Sequence, residues 1–266
     1  GDFQAARQAV SDVALASIPV GDPAIAWPEG EGAAQDGRIA ALLADPELTG
    51  PGMRAVVVVH DGRIVAETYG PGFSAQTPLL GWSMAKSVNA ALLGRLMQAG
   101  ALSPRISGLF PEWQGDARSA ITIAQLLAME SGLAFNESYG SVTDVTRMLF
   151  LEPDMTRYVI SLPLQANPGE VFNYSSGTSM LLSRLWMSAA GGRAQALSFP
   201  SRALFAPLGM ASAVLEPDET GIFVGSSYMY ATARDWARFS LLLLNDGVWK
   251  DSRLLPAGFV TAMATP

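Results

Sequence analysis

Cysteine is absent from this chain of 266 residues, so disulfides and thiolate metal sites are excluded. Histidine occurs once, at His60. A zinc centre assembled from several imidazoles is therefore impossible, and a Ser-His-Asp arrangement would have to use that single residue. His60 stands before a turn and reads as a solvated strand end. Lysine is almost as scarce: Lys86 and Lys250 are the only two, and every other basic residue is arginine, which does not release its proton in proteins. Charged residues make up 15% of the chain, no basic run occurs, and the formal net charge is -7. That balance argues against a nucleic-acid or anionic-membrane surface. Hydrophobic runs such as Val56–Val59 and Leu241–Leu244 are far too short to span a bilayer. The chain starts on Gly1 rather than Met, which leaves a removed leader or anchor open.

Hydrophobic residues account for 49% of the sequence, enough for a sizeable core in one large domain or two intimate ones. A short helix is expected around Phe3–Ala16, followed by a Pro/Gly-rich extended stretch from Pro19 to Gly37. Met53–His60, rich in β-branched valine, is followed by Asp61-Gly62 and a returning strand Arg63–Tyr69, the pattern of a tight hairpin. Val56–Val59 shows no polar alternation, so this strand is expected to be covered on both faces. Ser83–Gln98 carries Val88, Leu92, Leu93 and Leu96 at helical spacing and stops at Gly100. Thr122 with Gln125 forms a capping box. Helices are also expected over Asp144–Leu151, Asp154–Leu162, Thr178–Ala189 and Ala194–Phe205. Another should start at Thr232 with Asp235 and run to Leu244, and a last one should have Pro256 in its first turn. Asp235 and Arg238, three apart, are expected to pair. The order of elements reads as an α/β or α+β body with an inserted helical section. Residues 1–100 form its first part with the nucleophile helix, 101–225 a mainly helical domain, and 226–266 a return to the first.

Two stretches carry chemistry. Ser83-Met84-Ala85-Lys86 places a hydroxyl three residues before an amine at the head of an apolar helix, so both side chains share one face. A serine is a weak nucleophile without a neighbouring base, and a lysine can be that base if its surroundings favour the neutral amine. The backbone N–H of Ser83 would lie at a helix N-terminus, which favours developing negative charge. The second stretch runs from Asn167 through Pro168-Gly169 to Tyr174-Ser175-Ser176-Gly177 and sets a phenol in a loop just before a helix. A phenol near a cation such as Lys86 can exchange a proton with a serine hydroxyl. Tyr139, Tyr228, Tyr230 and the pair Ser226-Ser227 are weaker candidates for a substrate cleft, since each is equally well read as packing.

Taken in order and spacing, Trp82-Ser83-Met84-Ala85-Lys86-Ser87 and Tyr174-Ser175-Ser176-Gly177 resemble the serine β-lactamase and penicillin-binding-protein superfamily. The likeness is to its class C branch of esterases and 6-aminohexanoate-dimer hydrolases. It extends through Ser131-Gly132-Leu133, Pro207-Leu208-Gly209-Met210 and Thr232, Asp235 and Arg238. The resemblance implies a β-lactamase/transpeptidase-like fold, an antiparallel sheet flanked by helices with an inserted helical domain. It also implies Ser83 as acylated nucleophile, Lys86 as holder or acceptor of its proton, and Tyr174 as relay to the leaving group. Ser176, Tyr139, Ser226 and Tyr228 are the substrate-binding candidates. Ser176 stands where the family often has asparagine, a departure that bears on β-lactam recognition. The family continues into further strands beyond the region matched by Asn245–Pro266, so those strands are expected from a following segment or a second chain. The implied activity is hydrolysis of a small-molecule ester or amide with no cofactor and no metal. β-Lactam or D-alanyl peptide hydrolysis, a slowly acylated sensor, and an inactive fragment are the alternatives. Similar proteins favour the bacterial envelope over the cytoplasm.

Overall fold

The computed structural model describes residues 36–265. The helix expected over Phe3–Ala16 and most of the extended stretch after it lie outside those residues. The described chain begins with two short helices, α1 (Gly37–Leu43) and α2 (Pro46–Thr49), each capped by an aspartate side chain, Asp36 and Asp45. The hairpin follows as β1 (Ala55–His60) and β2 (Arg63–Tyr69). Asp61 and Gly62 both take positive φ, 48° and 74°, the geometry that makes an Asp-Gly pair a tight turn whose twist matches the strands. The register shifts between Val58 and Val59, and the carbonyl of Val65 accepts a bond from the N–H of Asp36, tying α1 to the hairpin.

The valines of β1 are half-buried and none is fully buried, so the expectation of complete cover on both faces is corrected. Among the described residues β1 pairs only with β2, and the helix later in the chain that packs on it leaves a groove bordered by Arg54, Val57 and Trp236.

β3 (Leu79–Leu80) leads into α3 (Met84–Gln98). The chain then passes through α4 (Ile123–Leu127), α5 (Asp144–Leu151) and α6 (Met155–Ile160) before α7 (Ser176–Ala189). The capping box of Thr122 and Gln125 is formed in both directions at the start of α4. α8 (Arg193–Pro200) continues through a π-helical stretch Ser201–Phe205 into α9 (Ala206–Leu208). Pro200 lies inside this continuous path and lacks a backbone N–H, which accounts for the change of helical pitch just after it. β4 (Val214–Leu215) and β5 (Met229–Ala231) join β3 in an antiparallel sheet of order β3-β5-β4. α10 (Ala233–Leu244), the hairpin β6 (Val248–Trp249) and β7 (Ser252–Arg253), and α11 (Phe259–Ala264) complete the path. Pro256 precedes α11 rather than sitting in its first turn: its carbonyl accepts from Phe259 N–H, and Gly258 in the left-handed region starts the helix.

One continuous hydrophobic cluster joins residues from α3 to Leu255. At its centre α3 packs on α7, and Asn89 fixes that contact. Its amide donates to the Ser179 carbonyl at 2.8 Å, while its oxygen accepts from the Ser183 hydroxyl and the Trp186 indole N–H at 3.1 and 2.6 Å. A buried amide satisfied on both ends specifies how two helices sit against each other in a way that aliphatic contact does not. The expected Asp235–Arg238 pair forms on α10, at 3.7 Å, and is buried rather than on the surface. Asp235 also accepts from the backbone and hydroxyl of Ser212, and Arg238 donates to the Leu208 carbonyl, so the pair anchors α10 to the segment after α9.

Candidate active site

The site forms where the N-terminus of α3 meets the N-terminus of α7. Gly81 donates its N–H to the Met229 carbonyl, fixing the end of β3 against β5. A Cβ at Gly81 would lie 2.3 Å from the Trp236 ring, so only glycine lets the chain pass here. Trp82 then takes a left-handed φ of 45°, uncommon for a bulky residue, and this sharp reversal presents Ser83 at the head of α3. Ser83 is exposed, and its backbone N–H bonds to no other described residue. The N–H groups of Met84, Ala85 and Lys86 are taken up by the carbonyls of Gly81, Trp82 and Ser83. The first turn therefore leaves the Ser83 N–H as its unpaired donor, at the end of the helix that favours negative charge.

Lys86 lies one turn further along. Its Nζ donates to Ser83 Oγ at 3.2 Å, to Ser176 Oγ at 3.1 Å and to the Ser226 carbonyl at 3.0 Å. An ammonium has three protons and no lone pair, so three acceptors satisfy it completely in the charged form. Tyr174 contributes its ring face, whose centroid is 4.9 Å from the same nitrogen, a cation–π contact. Its hydroxyl bonds to no other described residue, and the ring is partly exposed.

The loop that carries Tyr174 is braced from below. Asn173 N–H donates to the Met129 carbonyl, and its side-chain amide donates to the carbonyl of Phe135 at 3.1 Å. Gly132, with φ 75°, lets the Ser131–Leu133 turn approach Ala166 so closely that a Cβ would sit 2.3 Å from that carbonyl oxygen. Ser175 caps α7 by accepting from Thr178 N–H at 2.9 Å. The next residue, Ser176, thus starts α7 with its hydroxyl aimed at Lys86.

Of the substrate-binding candidates, Ser176 is fully buried and belongs to the lysine cluster. Ser226 reaches Lys86 through its carbonyl, while its hydroxyl is buried against Ser227 Oγ at 3.1 Å. Tyr139 is exposed, and its hydroxyl donates to Glu137 Oε1 at 3.3 Å; burial and the Glu137 charge push that phenol up. Tyr228 donates to the Leu149 carbonyl at 2.9 Å and is half-buried, which engages its hydroxyl in holding α5. Burial raises it too, with the Tyr230 and Glu216 charges adding to the effect.

The residue that sequence reasoning missed is Glu137. Its Oε1 accepts the Ser176 hydroxyl at 2.6 Å and its Oε2 accepts the Ser176 backbone N–H at 2.7 Å. Lys86, Ser176 and Glu137 therefore form one hydrogen-bonded line. Glu137 and Tyr174 also form one wall of an open cleft of about 670 Å³ that extends to Asp144 and Gln165. Ser83 and Lys86 do not line that cleft.

A family model named Beta-lactamase matches residues 41–264. The chain belongs to the beta-lactamase family. It is 26% identical over 224 residues to the 6-aminohexanoate-dimer hydrolase of Paenarthrobacter ureafaciens, covering 79% of this chain and 56% of that one. A Bacillus anthracis structure provisionally named a 6-aminohexanoate-dimer hydrolase superposes with a TM-score of 0.68 at 25% identity, over 78% of this chain and 58% of that one. A class C beta-lactamase from Rhodobacter sphaeroides shares the fold, with a TM-score of 0.56 at 18% identity over 79% and 64% of the two chains. The chain spans a little over half the length of the two 6-aminohexanoate-dimer hydrolase relatives. The expected β-lactamase/transpeptidase-like fold is therefore established, in a form that mixes helices with small antiparallel sheets.

Among the described residues, no helix is long and apolar enough to cross a membrane, and no three carboxylate or imidazole side chains cluster as a metal site.

Proposed function

We propose that this beta-lactamase-family protein is a serine hydrolase that cleaves a carboxylic ester or amide through an acyl-enzyme on Ser83. The observation that carries the reading is the 3.2 Å contact between Ser83 Oγ and Lys86 Nζ at an exposed helix N-terminus. Ser83 attacks the carbonyl carbon as its proton passes to Lys86 in its neutral amine form. The oxygen that becomes negative is met by the unpaired Ser83 N–H, at the end of α3 where the helix dipole favours negative charge. Lys86 then returns the proton to the departing alcohol or amine, with Tyr174, whose ring covers the lysine and whose hydroxyl is free, as the relay on the solvent side. Water takes the same route in reverse to release the acid. The amide arm is favoured by the hydrolase named for 6-aminohexanoate dimer to which the chain is similar.

The test is turnover of a p-nitrophenyl ester and of a linear amide by the wild type and by Ser83→Ala. The reading expects Ser83→Ala to abolish turnover, since the nucleophile is lost. Equal rates in the two proteins would refute it. A single stable adduct on Ser83 without turnover would point to the sensor alternative, and preferential cleavage of a cephalosporin to β-lactam hydrolysis.

A further inference from the structure

Lys86, as its three acceptors hold it, cannot act as a base. Three acceptors hold it as an ammonium, and an ammonium cannot take a proton from Ser83. One proton must leave the lysine before the serine can react. The direction of the bonds shows where it can go. Ser176 Oγ donates to Glu137 Oε1 at 2.6 Å, and so its lone pairs face Lys86 Nζ at 3.1 Å. A second bond, from Ser176 N–H to Oε2 at 2.7 Å, fixes the carboxylate in this orientation.

We propose that Glu137 is a positioning residue that holds the lysine's proton, received through the Ser176 hydroxyl, and so makes Lys86 a base. This rests on the hydrolase reading. In the resting state Lys86 is an ammonium and Glu137 a carboxylate. A proton moves from Nζ to Ser176 Oγ as the hydroxyl's own proton moves to Glu137 Oε1. The three groups keep the same total charge, as an ammonium and a carboxylate become an amine and a carboxylic acid. The neutral amine rotates to turn its lone pair from Ser176 to Ser83 and accepts the Ser83 proton as Oγ bonds to the carbonyl carbon. It gives that proton to the leaving oxygen or nitrogen as the bond to the leaving group breaks. Deacylation repeats the cycle with water in place of the serine, and the reverse shift through Ser176 restores the resting pair. Ser176, at the middle of the line, is fully buried, while Lys86 and Glu137 at its ends are half-buried.

The other groups facing Glu137 fit this assignment. The Tyr139 hydroxyl donates to Oε1. Tyr174 lies across the same cleft wall with its hydroxyl unengaged. Asp144, the other carboxylate of the cleft, is committed to the Asn136 N–H at 2.8 Å and to the Tyr158 hydroxyl, with Arg147 stacked on the Tyr158 ring. Glu137 is therefore the carboxylate connected to the lysine.

The experiment measures kcat/KM for a p-nitrophenyl ester across pH, together with the rate as a function of deuterium fraction in the solvent. The proteins are the wild type, Glu137→Gln and Ser176→Ala. The wild type is expected to hold a plateau of rate and to show a curved dependence on deuterium fraction because several protons move together. Glu137→Gln keeps the shape of the side chain but cannot hold the proton. Its rate should fall about 10²-fold at the wild-type plateau. It should climb with pH towards the wild-type rate, with a linear deuterium dependence. Ser176→Ala, which cuts the same line from the other side, should behave alike and decides the matter if Glu137→Gln does not fold. Parallel pH profiles, lowered by one factor or unchanged, with the deuterium curvature retained, would overturn the relay while leaving the hydrolase reading intact. Absence of any Ser83-dependent reaction in the wild type would instead remove the hydrolase reading, and the relay with it.

Discussion

Lys86 owes its place to residues far from it in sequence, and so do the consequences of changing it. Lys86→Arg would keep a cation but could supply no base, because guanidinium retains its proton, and its planar fork does not match three acceptors arranged around a point. Ester turnover by Lys86→Arg is expected to fall by at least about 10²-fold with the fold intact, as measured by rate and by circular dichroism. Asn89 provides the matching structural test one turn deeper. Asn89→Leu has nearly the same volume but strands the buried Trp186 indole N–H, while the Ser183 hydroxyl keeps its bond to the Ser179 carbonyl. A loss of about 1–3 kcal/mol in denaturant unfolding is expected, since a buried donor left unpaired costs its full desolvation. The Ser83–Lys86 spacing was legible in the sequence because three-residue separation on a helix dictates proximity. Glu137 was not. Its contact with Ser176 spans a loop of no regular structure, and only its position two residues before Tyr139 hinted at it.

Local signals predicted elements well wherever the backbone itself enforced them. The Asp61-Gly62 turn, the Thr122–Gln125 capping box and the Thr232 cap of α10 all formed because turn and cap geometry depends on neighbours in sequence. Thr122→Ala should therefore lower stability by about 1 kcal/mol, read from the unfolding midpoint. The start of α11 and the incomplete burial of β1 were misjudged, and for the same reason: both depend on what packs beside them. Gly258 in the left-handed region, rather than Pro256, opens the last helix. Gly81→Ala belongs to this scale too. Its Cβ would drive the end of β3 off Trp236 and move the start of α3, so activity should fall more than stability. Comparing kcat/KM with the unfolding midpoint of the same variant checks that split.

Across the whole molecule, charge is spread thinly, and a few ionisable groups tie distant segments together. Arg234 on α10 grips the Glu67 carboxylate of β2 at 2.6 and 2.9 Å. Arg234, with the Tyr69 hydroxyl, holds that carboxyl below its usual range against the opposing effect of burial. A depressed carboxyl stabilises the fold above its unfolded value, and that contribution disappears as pH falls through the folded one. Tyr69 is pushed up to about 12 from 10.0 by burial and its bond to Glu67, and Tyr158 to about 12 by burial and its bond to Asp144. Raised phenols have the opposite sign. Their contribution is complete below the unfolded value and is lost as pH rises from about 10 towards about 12. Thermal unfolding followed against pH should thus show an alkaline decline in that window, and Tyr69→Phe together with Tyr158→Phe should flatten it. The family was legible from the order of Ser83, Lys86 and Tyr174, because a reactive site constrains residue types more tightly than a core does. The division of the strands into three small sheets was not, since strand pairing between distant segments leaves little trace in local sequence.

The central claim is that Ser83 is a nucleophile activated by Lys86, and the most direct measurement is covalent capture. The protein is incubated with a fluorophosphonate, its intact mass is recorded, and the modified peptide is mapped. A single added group on Ser83, formed much more slowly in Lys86→Arg, is the predicted result. No adduct, or one on another residue with Ser83 unmodified, would contradict it.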